Sequence, residues 1–406
     1  MADGITRIAV EGFKSIAKRQ EIEIRPLTIL AGANSSGKSS IMQPLLMLKQ
    51  TLEATYDPGA LKIDGPNVSF SSIEQFITKS DGTVGALAIE IEWSDGTAFS
   101  TRFVRDESGL RVVEQRTIFQ GQKVVVRPDM SPQEIANEFG PVAQPGLHVI
   151  ANRFFLGVVS DAMPFASVTK WALPALRAEI HVPSIRGNTS RVYPSASIDP
   201  MFTGLFQYYV AALIDHWQQE QSAITEALIK DLRTLGLARN ARANRISDVA
   251  IELLVNRSEG SPNDLVNIAD VGIGVSQVLP VLVGLRAGQE GQLVYLEEPE
   301  IHLHPRAQTK LADILADAAR RGVRVVAETH SSLLLRAIQT LVARGALEPD
   351  LVRLHWFSRD ESGVTHVISV TPDENGAFGD WPEDFGDVAL QSEKDYLDAV
   401  ETKLAH

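Results

Sequence analysis

Residues 32–39 read GANSSGKS and fit the pattern G-x-x-x-x-G-K-[ST], a loop that functions only between a strand and a helix. That requirement dictates local structure on both sides. LTILAG enters the loop as an apolar run, and SSIMQPLLMLKQTLEA leaves it with apolar residues at helical spacing. Gly32 and Gly37 let backbone N–H groups turn inward around phosphate oxygens, and the helix N-terminus adds its dipole. Asn34, Ser35, Ser36 and Ser40 complete the cradle. Lys38 is placed to reach the β- and γ-phosphates, and the Ser39 hydroxyl to ligate Mg²⁺. A nucleoside triphosphate is the expected ligand; the loop alone does not specify the reaction.

A second motif, LVYLEEPEIHLHP at residues 293–305, carries an apolar strand into three glutamates and two histidines. Ligands bind at the carboxyl ends of parallel strands, so the acids are expected at a site. Adjacent strand residues face opposite ways, so Glu297 and Glu298 divide the work. Glu297 is the expected metal-side acid, and Glu298 the base that orients and deprotonates water. An alternative reading makes Glu300, His302 and His304 a zinc site. VVAETHSS places His330 at the end of a neighbouring strand, in reach of the γ-phosphate or its water. In DVGIGVSQVLPVL, Gly272 and Gly274 open a helix with Ser276 and Gln277 in its first turn, a second anion-binding terminus. One chain has little use for two such termini on one phosphate chain, so this one is expected to close over another subunit's nucleotide.

The chain has 406 residues, enough for two or three core-forming units. No apolar run approaches the roughly 20 residues that span a bilayer, and no secretory leader precedes the first strand pattern. Zero cysteines fit a reducing cytoplasm. A net charge of −13 argues against a protein that coats nucleic acid. It leaves open a local basic surface, for which Arg239, Arg242 and Arg245 in LARNARANR are the candidates; the other reading is a solvated helix face.

Residues 61–145 show short alternating runs broken by SDGT, DESG and QGQ, the pattern of antiparallel hairpins. LHVIANRFFLGVV reads as one strand, AEIHVPSIRG as another, and 200–238 as predominantly helical. VAIELLVN with LVNIAD predicts a hairpin. From 276 onward helices alternate with apolar strands, and two more strands are expected at 351–357 and 363–370, giving a parallel sheet covered on both faces. The predicted fold is α/β and mainly parallel. Its core is split between 1–60 and 262–370, with an antiparallel β subdomain at 61–145, a mixed helical insertion at 146–261 and a small C-terminal segment at 371–406. The first 60 residues and the last 140 or so are expected to share one sheet.

Phosphate loop, long insertion, signature-like loop, acidic strand end and switch histidine, in this order, resemble the ABC-type ATPases. VEGFKSI, LTILAGANSSGKSS, EEPEIHLHP and ETHSS are similar to the branch of overcoming-lysogenization-defect (OLD) nucleases and stand-alone bacterial ATPases. HVPSIRGNTSRVYP, with Arg186 and Arg191, and ENGAFGDWPEDF are similar to segments of those stand-alone members. The resemblance implies a P-loop NTPase of ABC type that sandwiches ATP and Mg²⁺ between two subunits, with Gly272, Gly274 and Ser276 acting in trans. It also implies a γ-phosphate-sensing glutamine, which leaves Gln43, Gln50 and Gln75 as candidates. Glu297 stands where most ABC ATPases have aspartate, and the signature loop departs from Leu-Ser-Gly-Gly-Gln, so slow hydrolysis is expected.

Two functions follow. One is a cytoplasmic ATPase whose nucleotide-driven assembly into a homodimer or higher oligomer controls a separate effector, such as a nuclease or other toxic enzyme, in anti-phage defence. No acidic Toprim set follows His330, so no nuclease of its own is expected. The other is a compact DNA repair or recombination ATPase binding DNA through Arg239, Arg242 and Arg245. A transporter subunit and a non-hydrolysing ATP switch fit less of the sequence.

Overall fold

The protein is described from a computed structural model that covers residues 4–78, 85–107, 109–139, 147–160, 163–166, 172–184, 190–199, 201–256 and 264–379, with Lys394 and Val400 beyond them. Arg186 and most of the 371–406 segment lie outside the described residues.

Strands β1 (Ile5–Glu11), β2 (Gln20–Glu23) and β3 (Leu27–Gly32) lead into helix α1 (Lys38–Leu52). Strands β4 (Ala86–Trp93), β5 (Ala98–Asp106), β6 (Gly109–Phe119) and β7 (Gln122–Val126) follow, then α2 (Pro132–Phe139). Next come β8 (His148–Asn152), β9 (Phe155–Ser160), β10 (Met163–Ala166), α3 (Ala172–Arg177), β11 (Ile180–Val182) and β12 (Tyr193–Pro194). Helices α4 (Val210–Gln219) and α5 (Ala223–Thr234) precede β13 (Ala241–Ser247), β14 (Ala250–Asn256) and β15 (Leu265–Asn267). The last third alternates: α6 (Ile273–Ala287), β16 (Leu293–Glu297), α7 (Pro305–Arg320), β17 (Arg324–Thr329), α8 (Ser332–Ala343), β18 (Val352–Arg359) and β19 (Thr365–Val370).

The central sheet runs β11-β16-β17-β3-β18-β19, parallel throughout except for the β18–β19 hairpin. Alternate residues of its strands face opposite layers. Leu30, Tyr295, Val326 and Phe357 pack with α1 and the antiparallel sheet, whereas Ile29, Leu296, Ala327 and Trp356 pack with α4 to α8. Continuous apolar strands are what burial on both faces demands. Among the described residues no helix is long and apolar enough to cross a membrane.

The structure departs from the sequence reading in three places. β1 and β2 do not join β3; they extend the antiparallel sheet β2-β1-β4-β5-β6-β7, because β1 buries Ile8 and Val10 against Ile91 and Ile89 of β4. LHVIANRFFLGVV is a hairpin, turning at Arg153 with φ 55°. LARNARANR is a strand edge rather than a helix face: Ala241 and Ala243 are buried at a period of two, and Arg242 projects between them. The hairpin expected from VAIELLVN and LVNIAD is present as β14 paired with β15.

Candidate active site

The phosphate loop bridges β3 and α1 with little room to spare. A Cβ on Gly32 would lie 2.3 Å from the Phe357 carbonyl oxygen, and one on Gly37 would lie 2.5 Å from Thr365 Oγ1. Both glycines also have positive φ, 144° and 106°, where a side chain is strained. Thr365 is fully buried and ties the loop down: its N–H donates to Ser15 O, and its hydroxyl contacts Ser15 Oγ and Ser36 O, each at 2.8 Å. Asn34 and Ser35 remain exposed at the rim, while Ser36 and Ser40 are buried.

A cavity of 470 Å³ opens over this loop; Lys14, Gln43, Glu298, Glu328, His330 and Arg359 wall it, together with loop residues 34–40. Lys38 Nζ donates to Gly32 O at 3.0 Å and Ala33 O at 2.9 Å. Burial lowers its pKa, against an upward pull from Glu328 and Glu298. Glu298 follows β16 with φ 43°, and its carboxylate lies 3.8 Å from His330 Nε2. Burial and Lys38 hold His330 below the ordinary histidine pKa, with Glu298 opposing, so a neutral ring faces the cavity at pH 7. Lys38, Glu298 and His330 are thus brought together as the sequence pattern predicts.

The strand-end acids divide differently from expectation. Glu297 does not wall the cavity. Its carboxylate is 3.2 Å from His181 Nε2 and accepts from Ser184 N–H at 3.1 Å. The acid that meets Ser39 is Glu328, whose Oε2 accepts from Ser39 Oγ at 2.8 Å while Oε1 accepts from the Tyr295 hydroxyl. Glu328 is buried, and burial together with Glu297 pushes its pKa up to about 7, against Tyr295, Ser39 and Lys38. Glu297 and Glu328 are register partners on β16 and β17, so they share one face of the sheet, the face that α1 covers. Glu328 was overlooked in VVAETHSS although strand parity is legible there; which face α1 covers and which strands neighbour β3 are not. Lys14, His181 and Tyr295 lie within VEGFKSI, HVPSIRGNTSRVYP and LVYLEEPEIHLHP, but nothing in those patterns assigns them a role; Thr365 and Arg359 lie in no motif.

Glu300 is buried, accepting from the Thr329 hydroxyl and from His330 N–H at 3.2 Å; it holds the histidine's backbone. His304 Nδ1 accepts from Arg306 N–H at 3.3 Å, capping α7. Those two residues of the zinc reading therefore serve separate partners, and among the described residues no group of three or more His, Asp or Glu is placed to hold a metal ion. Of the candidate glutamines, only Gln43 reaches the cavity, accepting from Lys14 Nζ at 2.7 Å. Gln50 is buried against Lys62 O and Val68 O, and Gln75 pairs with Ser71.

Gly272, Gly274 and Ser276 lie away from this cavity. Gly272 and Ile273 are exposed at the start of α6. Ser276 lines a separate cleft of 410 Å³ with Tyr193, Tyr208 and Gln277. Nearby, Arg191 is paired with Asp270, its Nη1 donating to Oδ2 at 3.0 Å. Arg245, although exposed, is engaged by Asp215 at 2.8 Å, and Arg242 projects from β13 beside it.

A family profile described as "AAA ATPase domain" matches residues 4–104, and one described as "AAA domain, putative AbiEii toxin, Type IV TA system" matches residues 234–336. The crystal structure of an SmcHead bound to the C-winged helix domain of ScpA superposes at TM-score 0.52 and 14% identity, covering 91% of this chain and 98% of that one. An Smc head domain bound to the C-terminal domain of ScpA, from Pyrococcus furiosus, covers 98% of this chain and 100% of its own at 12% identity and TM-score 0.47. The SMC head domain from Thermotoga maritima covers 90% and 99% at 13% and 0.42. No curated protein matches significantly. The chain therefore has the ABC-type P-loop ATPase fold, similar to an SMC head, and carries AAA-type ATPase segments at residues 4–104 and 234–336.

Proposed function

We propose that this ABC-type chain is a cytoplasmic, Mg²⁺-dependent ATPase of the OLD-like branch, whose ATP-driven dimerisation controls a separate effector in anti-phage defence. The observation that carries the ATPase is the convergence on one cavity of Lys38, the Ser39–Glu328 contact, Glu298 and His330. A phosphate loop without acids would support binding only; a carboxylate and a neutral histidine beside it supply what hydrolysis needs.

Ser39 and Glu328 offer the hard oxygen donors that Mg²⁺ takes, with Glu297 one strand behind to add negative charge. Bound Mg²⁺ neutralises charge on the phosphate oxygens. Glu298 orients and deprotonates the attacking water, His330 contacts that water or the γ-phosphate, and Lys38 holds the phosphate chain. Gly272, Gly274 and Ser276, exposed or half-exposed at the mouth of α6, reach the partner's nucleotide. The defence reading draws on the OLD-like motifs and on a profile described in terms of AbiEii and a type IV TA system. A partner protein is in keeping with the SmcHead structure, which is bound to a winged-helix domain.

The test separates binding from turnover. Lys38→Ala should abolish nucleotide binding by calorimetry. Glu298→Gln should bind ATP like the wild type yet release no phosphate; equal loss of binding in both variants would remove Glu298 from its role. Co-purification of a nuclease or other toxic enzyme encoded beside this chain would test the effector.

A second reading, a DNA-associated ATPase, is favoured by Arg242 projecting from β13 with Arg239 nearby. It requires duplex DNA binding that weakens steeply with salt and is lost on Arg239→Ala and Arg242→Ala.

A further inference from the structure

Arg359 ends β18 on the flank of the phosphate loop opposite the hydrolytic edge. The strand order is β16, β17, β3, β18. Glu298 follows β16, while Glu328 and His330 belong to the end of β17, so all three approach the loop from one side. On the other side, Phe357 of β18 is the register partner of Gly32, and Arg359 stands two residues further on, in the cavity wall. A nucleotide whose γ-phosphate lies against Glu298 and His330 must run its α-phosphate toward the β18 flank.

The side chain there is suited to receive it. Arg359 is exposed, and among the described residues no carboxylate lies within ion-pair distance of it. The adjacent Asp360 is committed to its own turn, accepting from Ser362 Oγ at 2.6 Å, Val364 N–H at 3.0 Å and His366 Nε2 at 2.8 Å. Thr365, the register partner of Arg359, is the residue clamped to Ser36 of the loop and to Ser15 after β1. The hairpin that carries Arg359 is therefore tied to the phosphate loop through the buried Thr365–Ser36 hydrogen bond, with Ser15 bracing it from beside β1. Lys14, the other cation on the wall besides Lys38, is already held by Gln43 and sits 4.8 Å from the Phe70 ring centroid. A guanidinium presents a fork of donors that matches phosphate oxygens better than an ammonium does.

We propose that Arg359 is a nucleotide-binding residue that contacts the α-phosphate, closing the end of the site away from the hydrolytic edge. This rests on the ATPase reading above. Its consequence is a contact made alike with ATP and ADP, before and after loss of the γ-phosphate.

The experiment is a comparison of ATP and ADP affinity by calorimetry, in the full chain carrying Glu298→Gln so that ATP persists. Arg359→Ala should weaken both nucleotides by roughly tenfold, the size expected for one exposed charge-assisted contact. Arg359→Lys should fall between, with the melting temperature of both variants unchanged. In the chain with Glu298 intact, Arg359→Ala should raise KM and leave kcat near its starting value. Unchanged affinity for both nucleotides would overturn the assignment, as would a loss confined to ATP, which would move the contact to the γ end. Failure of the parent chain to bind either nucleotide would instead sink the ATPase reading from which the assignment starts.

Discussion

At Gly37 a methyl group would meet Thr365 Oγ1 at 2.5 Å on a backbone already in the left-handed region. Gly37→Ala should therefore cost about 1–3 kcal/mol of stability and lose nucleotide binding, checked by thermal melting beside calorimetry. His330→Ala should act on the other side of the loop, lowering turnover more than affinity; unchanged turnover would leave the histidine with a structural role only. A different sign applies at Glu179, a fully buried acid neither of whose oxygens has a hydrogen-bond partner. Burial pushes its pKa up to about 8, with Lys49 pulling down and Glu53 pushing up. The unfolded chain loses this proton near 4.5 and the native state only near 8. The stabilising contribution is complete below the lower value and is lost as pH rises through the interval. Glu179→Gln keeps the neutral form, so its melting temperature should gain on the wild type steadily between about pH 5 and about pH 8. At this scale Lys38, Ser39, Glu298 and His330 were legible because each stands at a fixed offset in a motif. Glu328 was not, since its meeting with Ser39 joins the start of α1 to the end of β17, 289 positions apart in sequence.

Among elements, one side chain ties α6 to both α5 and α7. Arg286 donates twice to Asp231 of α5, at 2.7 Å each, and once to Asp317 of α7 at 2.8 Å. Asp231 is buried, so Arg286→Ala would leave a charge stranded between helices. The expected cost is about 3 kcal/mol, read as a lower denaturant midpoint. The alternation of helix and strand after residue 276 was legible because each element there is long, amphipathic or continuously apolar. β13 was not, because six arginine and alanine positions in the nine of LARNARANR satisfy a helix or a strand equally until Ala241 and Ala243 are seen packed in the core. The turn at Arg153 was missed for a related reason: no glycine or proline marks it.

For the molecule as a whole, the decisive measurement is assembly. With Mg²⁺ and ATP, Glu298→Gln should sediment as a dimer or larger species, whereas Lys38→Ala under the same conditions should remain as the nucleotide-free protein. A Glu298→Gln chain that binds ATP without changing its mass would confine the site to a single subunit. The ABC-type fold was readable from the order of motifs, and the placement of β1 and β2 was not, because pairing between distant strands leaves no local trace. That placement also bears on how the chain comes to be folded. β3, which carries the phosphate loop, finds both of its sheet neighbours in the final third: Leu27 pairs with Val325 and with Val352. A growing chain on the ribosome can close β1 onto β4 early, yet β3 must wait, apolar and unpaired, until β17 and β18 emerge. Such long-range pairing is slow and exposes aggregation-prone edges. Synthesis halted before residue 352 would thus release a chain with an open seam at its centre, a substrate for chaperones or proteases rather than a partial enzyme.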